Sequence, residues 1–245
     1  MKKIVKVFAL AALMIIGGQT MAQTHGYMSL GASFPMGNFG KGAAESWALT
    51  NESSFYGGAG IGFNAGLKWD FGVGVKGLNV MFSVDGFYNG LNNELKEHFD
   101  KKAVDIKNDP LVKDYSMTRP RYINLPVMAG IHYILYTTPS FGIYLEAGAG
   151  GNCRWITNYE ETIRYIGDVV TSTTMLDYKT ALSFAYQVGV GFEVAKNFNI
   201  GVSFYDLGSS KIIAERTLPI VGTDVYTNVY GVRPQMLLAR IGFRF

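Results

Sequence analysis

The sequence predicts an all-β fold: an eight-stranded antiparallel transmembrane β-barrel, an up-and-down meander with four long extracellular loops, preceded by a signal peptide. Three observations predict it. The first residues are laid out as a secretory leader, nearly every long segment alternates with a period of two, and short connections alternate with long polar ones.

The leader is expected over residues 1–22. Lys2, Lys3 and Lys6 precede an apolar run over 7–16, and Thr20-Met21-Ala22 supplies a small-residue cleavage site. A spanning helix needs ~20 apolar residues and this run is about half that, so the segment reads as a leader rather than an anchor. The mature barrel domain is then 23–245. Taking the three leader lysines from 22 basic side chains leaves 19, against 19 acidic ones, so the mature chain is neutral. Nucleic acid is excluded as a partner, because its recognition needs Lys and Arg clustered on one face and no cluster is visible. A single cysteine, Cys153, forms no intramolecular disulfide in the oxidising compartment a leader implies, and it reads as a small apolar strand residue. No linker and no long repeat divides the chain, which points to one domain.

The strands follow in order. The first spans 27–34. Over 58–69, Ala59, Ile61, Phe63, Ala65, Leu67 and Trp69 share one face, and Gly60, Gly62, Asn64, Gly66 and Lys68 the other. Over 78–85, Leu78, Val80, Phe82 and Val84 oppose Asn79, Met81, Ser83 and Asp85. The same period runs through 123–133 and 143–150, where Leu145 and Ala147 flank Glu146. It continues through 184–194, 200–206 and 237–245, the last alternating Leu237, Ala239, Ile241, Phe243 and Phe245 with Arg240, Gly242 and Arg244.

Which face points outward decides the protein's class. Turned inward, the apolar rings would crowd a bore that at ~8 strands is only wide enough for side chains or one small ligand, and glycine would coat the outside. Turned outward, they meet lipid while small residues and a few charges fill the lumen. Hydrocarbon satisfies no unpaired backbone group, so spanning strands must close into a barrel, and the expected location is the cell outer membrane. Aromatic girdles are expected at Trp69, Phe71, Tyr133, Tyr136, Phe141 and Phe198 on one side and at Tyr88, Tyr122, Trp155 and Tyr159 on the other.

Short connections fall at 71–76, 135–140 and 195–199, and long ones at 35–57, 89–120, 157–179 and 208–232. Within the third long loop, 163–166 and 169–173 read as a hairpin about Gly167-Asp168, extending the strands on either side beyond the membrane. Residues 92–102 carry both charge signs, compatible with a short helical turn or a mobile stretch.

Candidate sites are few. Gly60-Ile61-Gly62-Phe63-Asn64-Ala65 satisfies the dinucleotide fingerprint, but its alternation continues and no helix is expected after it, so it reads as strand. Lys68, Asp85, Glu146, Glu193, Arg240 and Arg244 all fall on the lumen face, where buried charges are costly unless paired; an ionic network plugging the bore is expected, with a charge-lined solute or ion pore as the alternative. His25, His98 and His132 are too scattered for a metal site, no cofactor is expected, and His132 reads as part of the interior network. A lipid-modifying enzyme would need a nucleophile, a base and an orienting acid in one place, and only the loop residue His98 offers a base. No catalytic residue is therefore assigned.

Three stretches resemble the small outer-membrane β-barrel proteins common in Bacteroidetes, the OmpA-like barrel and PorT-like group. They are Tyr122-Ile123-Asn124-Leu125-Pro126-Val127, the run 200–208 ending in Leu207-Gly208, and the final alternating strand 237–245. The resemblance implies that Phe243 and Phe245 form the signal presented to the outer-membrane assembly machinery. It also implies a possible envelope or secretion-system protein as partner. Fold does not fix function. The expected role is structural or interactive, carried by the surface loops of a barrel embedded in outer-membrane lipid.

Overall fold

A computed structural model describes residues 24–41, 57–138, 140–167, 171–195, 197–217 and 226–245; the leader expected over 1–22 lies outside them. In chain order the elements are β1 (Thr24–Met36), α1 (Gly37–Gly40), β2 (Ala59–Gly72), β3 (Leu78–Leu91), α2 (Asn93–Lys107), β4 (Val112–Thr118), β5 (Tyr122–Thr138) and β6 (Phe141–Ile156). There follow β7 (Tyr159–Tyr165), β8 (Thr171–Tyr178), β9 (Ala181–Val194), β10 (Phe198–Asp206), β11 (Ser210–Thr217), β12 (Tyr226–Val232) and β13 (Gln235–Arg244). Eight of the strands close a barrel in the order β1-β13-β10-β9-β6-β5-β3-β2, each pair of neighbours antiparallel. They are the eight that the alternation predicts.

The apolar face points out. Ile61 is 70% exposed and Leu145 57%, and Leu30, Ile131, Val190, Ile200 and Ile241 share that wall, whereas Lys68, Asp85, Glu146 and Arg240 are buried inside. Such a wall is stable only against acyl chains. One position breaks the expected pattern: Ala59 points inward, because the β2–β3 register shifts between Ala59 and Gly62 and the extra residue reverses the alternation. Along β3 and β5 the register is unbroken, yet pairing passes from Val84↔Val127 to Phe87↔Asn124, since Pro126 has no N–H to donate between them.

The four long connections leave from one end of the barrel and the short turns from the other. Three of the long connections build a second sheet in the order β12-β11-β8-β7-β4. The hairpin expected near Gly167 is β7 and β8, paired from Tyr159↔Leu176 to Arg164↔Thr171. It does not simply prolong β6 and β9; the chain breaks at 157–158 and 179–180, and β7 and β8 pair outward with β4 and β11. The mixed-charge stretch after Asn92 is helical: it forms the start of the 15-residue helix α2. The Asn92 side chain caps it by accepting from the Leu95 amide at 2.9 Å, Glu94 lies in its first turn and Lys107 in its last, each favouring the helix dipole. Leu95 and Phe99, one turn apart, face inward and are fully buried.

Candidate functional site: the lumen and its cap

The bore has two layers. In the half towards the short turns, ionisable groups run in a chain. His132 Nδ1 lies 2.6 Å from Asp70 Oδ2, and Lys68 Nζ lies 3.5 Å from His132 Nε2 and 3.4 Å from Glu146 Oε2. Arg240 Nη2 bonds Glu146 Oε1, its Nη1 lies 3.8 Å from Asp85 Oδ1, and the Tyr205 hydroxyl donates to Asp85 Oδ2 at 3.0 Å. Ser203 adds a bond to Glu146 Oε1 at 2.9 Å. Lys68 also sits over the Tyr27 ring, 4.7 Å from its centroid. Neighbouring strands β2, β3, β5 and β6 on one side and β10 and β13 on the other supply these groups, each on the inward parity of its own strand.

Of the six charges expected on the lumen face, the structure brings Lys68, Asp85, Glu146 and Arg240 into this chain. The other two meet further partners. Glu193 accepts from Tyr27 at 3.3 Å and from Tyr136 at 2.8 Å, and Arg244 packs against His25 at 2.6 Å, both nearer the short turns. Asp70, Tyr27, Tyr144 and Tyr205 belong to the interior although sequence reasoning did not single them out; each sits on the parity of a lumen residue two positions away. Tyr144 fits only because β9 and β10 carry glycine beneath it: a Cβ on Gly201 would strike its hydroxyl and one on Gly191 its ring.

The half towards the long loops is different. Small residues and charges were expected throughout, but here Phe87, Leu91, Met128, Ile156, Leu207, Met236 and Leu238 form an apolar core. The sequence carried a trace of it, since Phe87-Tyr88 and Leu237-Leu238 put large residues on both faces at this height. Tyr122 is part of the core, donating to the Gly57 carbonyl at 2.5 Å, so it does not join the girdle. Tyr159 is buried under the cap and Tyr136 turns inward to Glu193. The girdle near the turns is instead built by pairs such as Phe141 with Phe192 and Phe198 with Phe243, and near the loops by Phe63 stacked on Tyr88. Arg154 crosses the core's edge, donating to Asn124 Oδ1 at 3.2 Å and to the Gly208 carbonyl at 3.3 Å.

Above this core the loop-end sheet and helix pack as a cap. Leu95 and Phe99 of α2 enter the same cluster as Tyr122, Tyr159 and Tyr178, with Phe99 stacked on Tyr159 at 5.9 Å. Lys102 of α2 bonds Glu161 of β7 at 2.8 Å, and the Tyr115 hydroxyl donates to the same carboxylate at 2.9 Å. Burial, reinforced by that bond, raises the Tyr115 hydroxyl above its ordinary range. Phe99→Ala should cost about 3–5 kcal/mol of cap docking. Limited proteolysis should then cut within 93–111 at concentrations that leave the native protein whole, and an unchanged digest would show that α2 is held by other contacts.

Among the described residues no group of three His, Cys, Asp or Glu could hold a metal ion. Residues 60–65 lie within β2, which runs on to Gly72, so no helix follows the fingerprint. His98 stands beside Phe99 on α2. Cys153 is a partly exposed residue of β6.

A closed barrel with an apolar outer wall and a filled bore defines a membrane-spanning β-barrel of the small kind. The chain belongs to the family described as outer membrane protein beta-barrel domain, which matches residues 8–245. No curated protein matches the sequence. Among solved structures it is similar to Ail, the attachment invasion locus protein of Yersinia pestis, at 15% identity over 91% of this chain and 99% of that one, with a TM-score of 0.40. It is also similar to OprG of Pseudomonas aeruginosa, at 12% identity over 91% and 94% with a TM-score of 0.44, and to Neisserial surface protein A, at 14% over 92% and 99% with a TM-score of 0.40.

Proposed function

We propose that this outer-membrane barrel is a non-conducting, non-catalytic interaction protein that works through its loop-end sheet and helix. One observation carries the reading: the bore is filled twice, by an ionic chain below and by an apolar core above whose upper members come from α2. A chain that seals its lumen and then builds an ordered sheet on the sealed mouth has placed its structure where partners are met. Within that sheet β4 pairs with β7 alone and β12 with β11 alone among the described residues, so each keeps one backbone edge unpaired. A protein partner, in the envelope or in a secretion apparatus, is the class such edges suit. The Bacteroidetes-type resemblance fits this reading, as does a leader that is removed on export.

Two measurements test it. Purified protein in planar bilayers should give no stable conductance steps, and ohmic steps abolished by changes at Lys68 or Glu146 would favour the pore instead. Crosslinking in intact outer membranes should capture a protein that is lost when residues 93–118 are deleted; capture that ignores the deletion would place the contact elsewhere.

A further inference from the structure

Barrel closure in this fold is one event, the pairing of β1 with β13, which joins segments about 200 residues apart in sequence. Every side chain of a strand changes face with a one-residue slip, so that error is punished strongly. A two-residue slip keeps both faces and needs another device. The seam contains one. Phe245 lies directly opposite Gly26, its amide donating to the Gly26 carbonyl at 2.9 Å, and its ring covers the glycine so closely that a Cβ there would stand 2.6 Å from Phe245 Cζ. On the lumen side Gly31 opposes Arg240, and a Cβ on Gly31 would stand 2.9 Å from Arg240 Cβ and strike the Ala239 carbonyl oxygen as well.

We propose that Gly26–Phe245 on the outer wall and Gly31–Arg240 in the bore together form the register key of the closing seam. In the native register both large residues meet glycine. Shifted by two in one direction, Arg240 would face Ser29 and Phe245 would face Thr24; in the other, Ser33 and Met28. Each alternative puts a Cβ into space that the native pairing reserves for the larger partner. The two keys differ in stiffness. The Phe245 ring is 72% exposed and can swing aside, so Gly26 chiefly gains a cover, as an aromatic ring shelters a glycine across a strand pair. Gly31 faces a backbone oxygen and a Cβ, which cannot move without shifting the strand. Arg240 is thereby used twice, as the key's tooth and as the cation of the lumen chain.

The test is refolding of the urea-unfolded chain into phosphatidylcholine vesicles, where no assembly machinery acts, with closure read from the electrophoretic shift of unboiled samples. In a Cys153→Ser background, cysteines at Ala32 and Ala239 report the native register, where they are direct partners, and cysteines at Ala32 and Ile241 report the two-residue slip. Gly31→Ala should close about tenfold more slowly, a barrier change of about 1.4 kcal/mol, and should raise linkage between positions 32 and 241. Gly26→Phe should also be slow, and the swap Gly26→Phe with Phe245→Gly should recover most of the lost rate by restoring one ring and one glycine. Closure of Gly31→Ala at the native rate with linkage only between positions 32 and 239, or a swap no faster than Gly26→Phe alone, would overturn the proposal.

Discussion

Arg240→Met should be the most damaging single change inside the bore. Arg240 is buried and bonds Glu146 while lying 3.8 Å from Asp85, so it stands between two carboxylates that water does not reach. Methionine fills much of the same volume but leaves those carboxylates with Lys68 as the nearest cation, and of the two Lys68 meets only Glu146. Removing one partner of a buried pair costs about 3–5 kcal/mol because the other charge stays buried without compensation. Urea unfolding in detergent should show that loss as a lowered midpoint, with the slope unchanged. Arg240→Met combined with Glu146→Gln should recover part of it, since the second change removes one of the two carboxylates that the first leaves without their cation. A midpoint for Arg240→Met equal to that of the native protein would mean the lumen is wet enough to solvate both carboxylates, and the plug reading would fail with it.

Leu145→Arg and Val190→Arg should each prevent insertion, for the opposite reason. The two residues are direct partners on β6 and β9, one outward position inside the Phe141–Phe192 girdle pair and facing lipid, with Leu145 57% exposed. An arginine at mid-bilayer on the lipid face costs about 2–4 kcal/mol, which a small barrel does not spare. Ser83→Thr, on the lumen face of β3, keeps its hydroxyl and should insert normally. Fractionation of outer membranes reads all three, and equal recovery of Leu145→Arg and Ser83→Thr would contradict the facing on which the membrane assignment stands.

Much of the barrel was legible because its period is two and its environments are only two. Lys68, Asp85, Glu146 and Arg240 are on the inner face simply by parity, and no distant information was needed to place them there. Parity says nothing about height or about partners. That is why Glu193 and Arg244, on the same face, fell to a separate group near Tyr136 and His25. It is also why Tyr122, Tyr136 and Tyr159 were misread as girdle residues: a tyrosine near a strand end suits an interface or a buried hydrogen bond equally well, and the Gly57 carbonyl or the Glu193 carboxylate that decided between them lies 57 or more residues away. Ala59 was misplaced by a single extra residue, the one error that a period-two argument cannot absorb.

The cap was the least legible part. The 15 residues of α2 are polar on most sides, and helix formation there depends on Leu95 and Phe99 finding the core over the barrel mouth. A loop of mixed charge has no such core in the sequence; the barrel supplies it only after closure.

The sequence by itself determined the number and order of the barrel strands and, Ala59 apart, which face of each turns to lipid, because alternation and the need to satisfy each backbone group in lipid leave little freedom in placing those residues. Tertiary structure alone decided which charges meet, where the polar bore gives way to an apolar one, and that α2 packs on that apolar core, because those outcomes depend on height along neighbouring strands and on contacts between loops that share no local pattern.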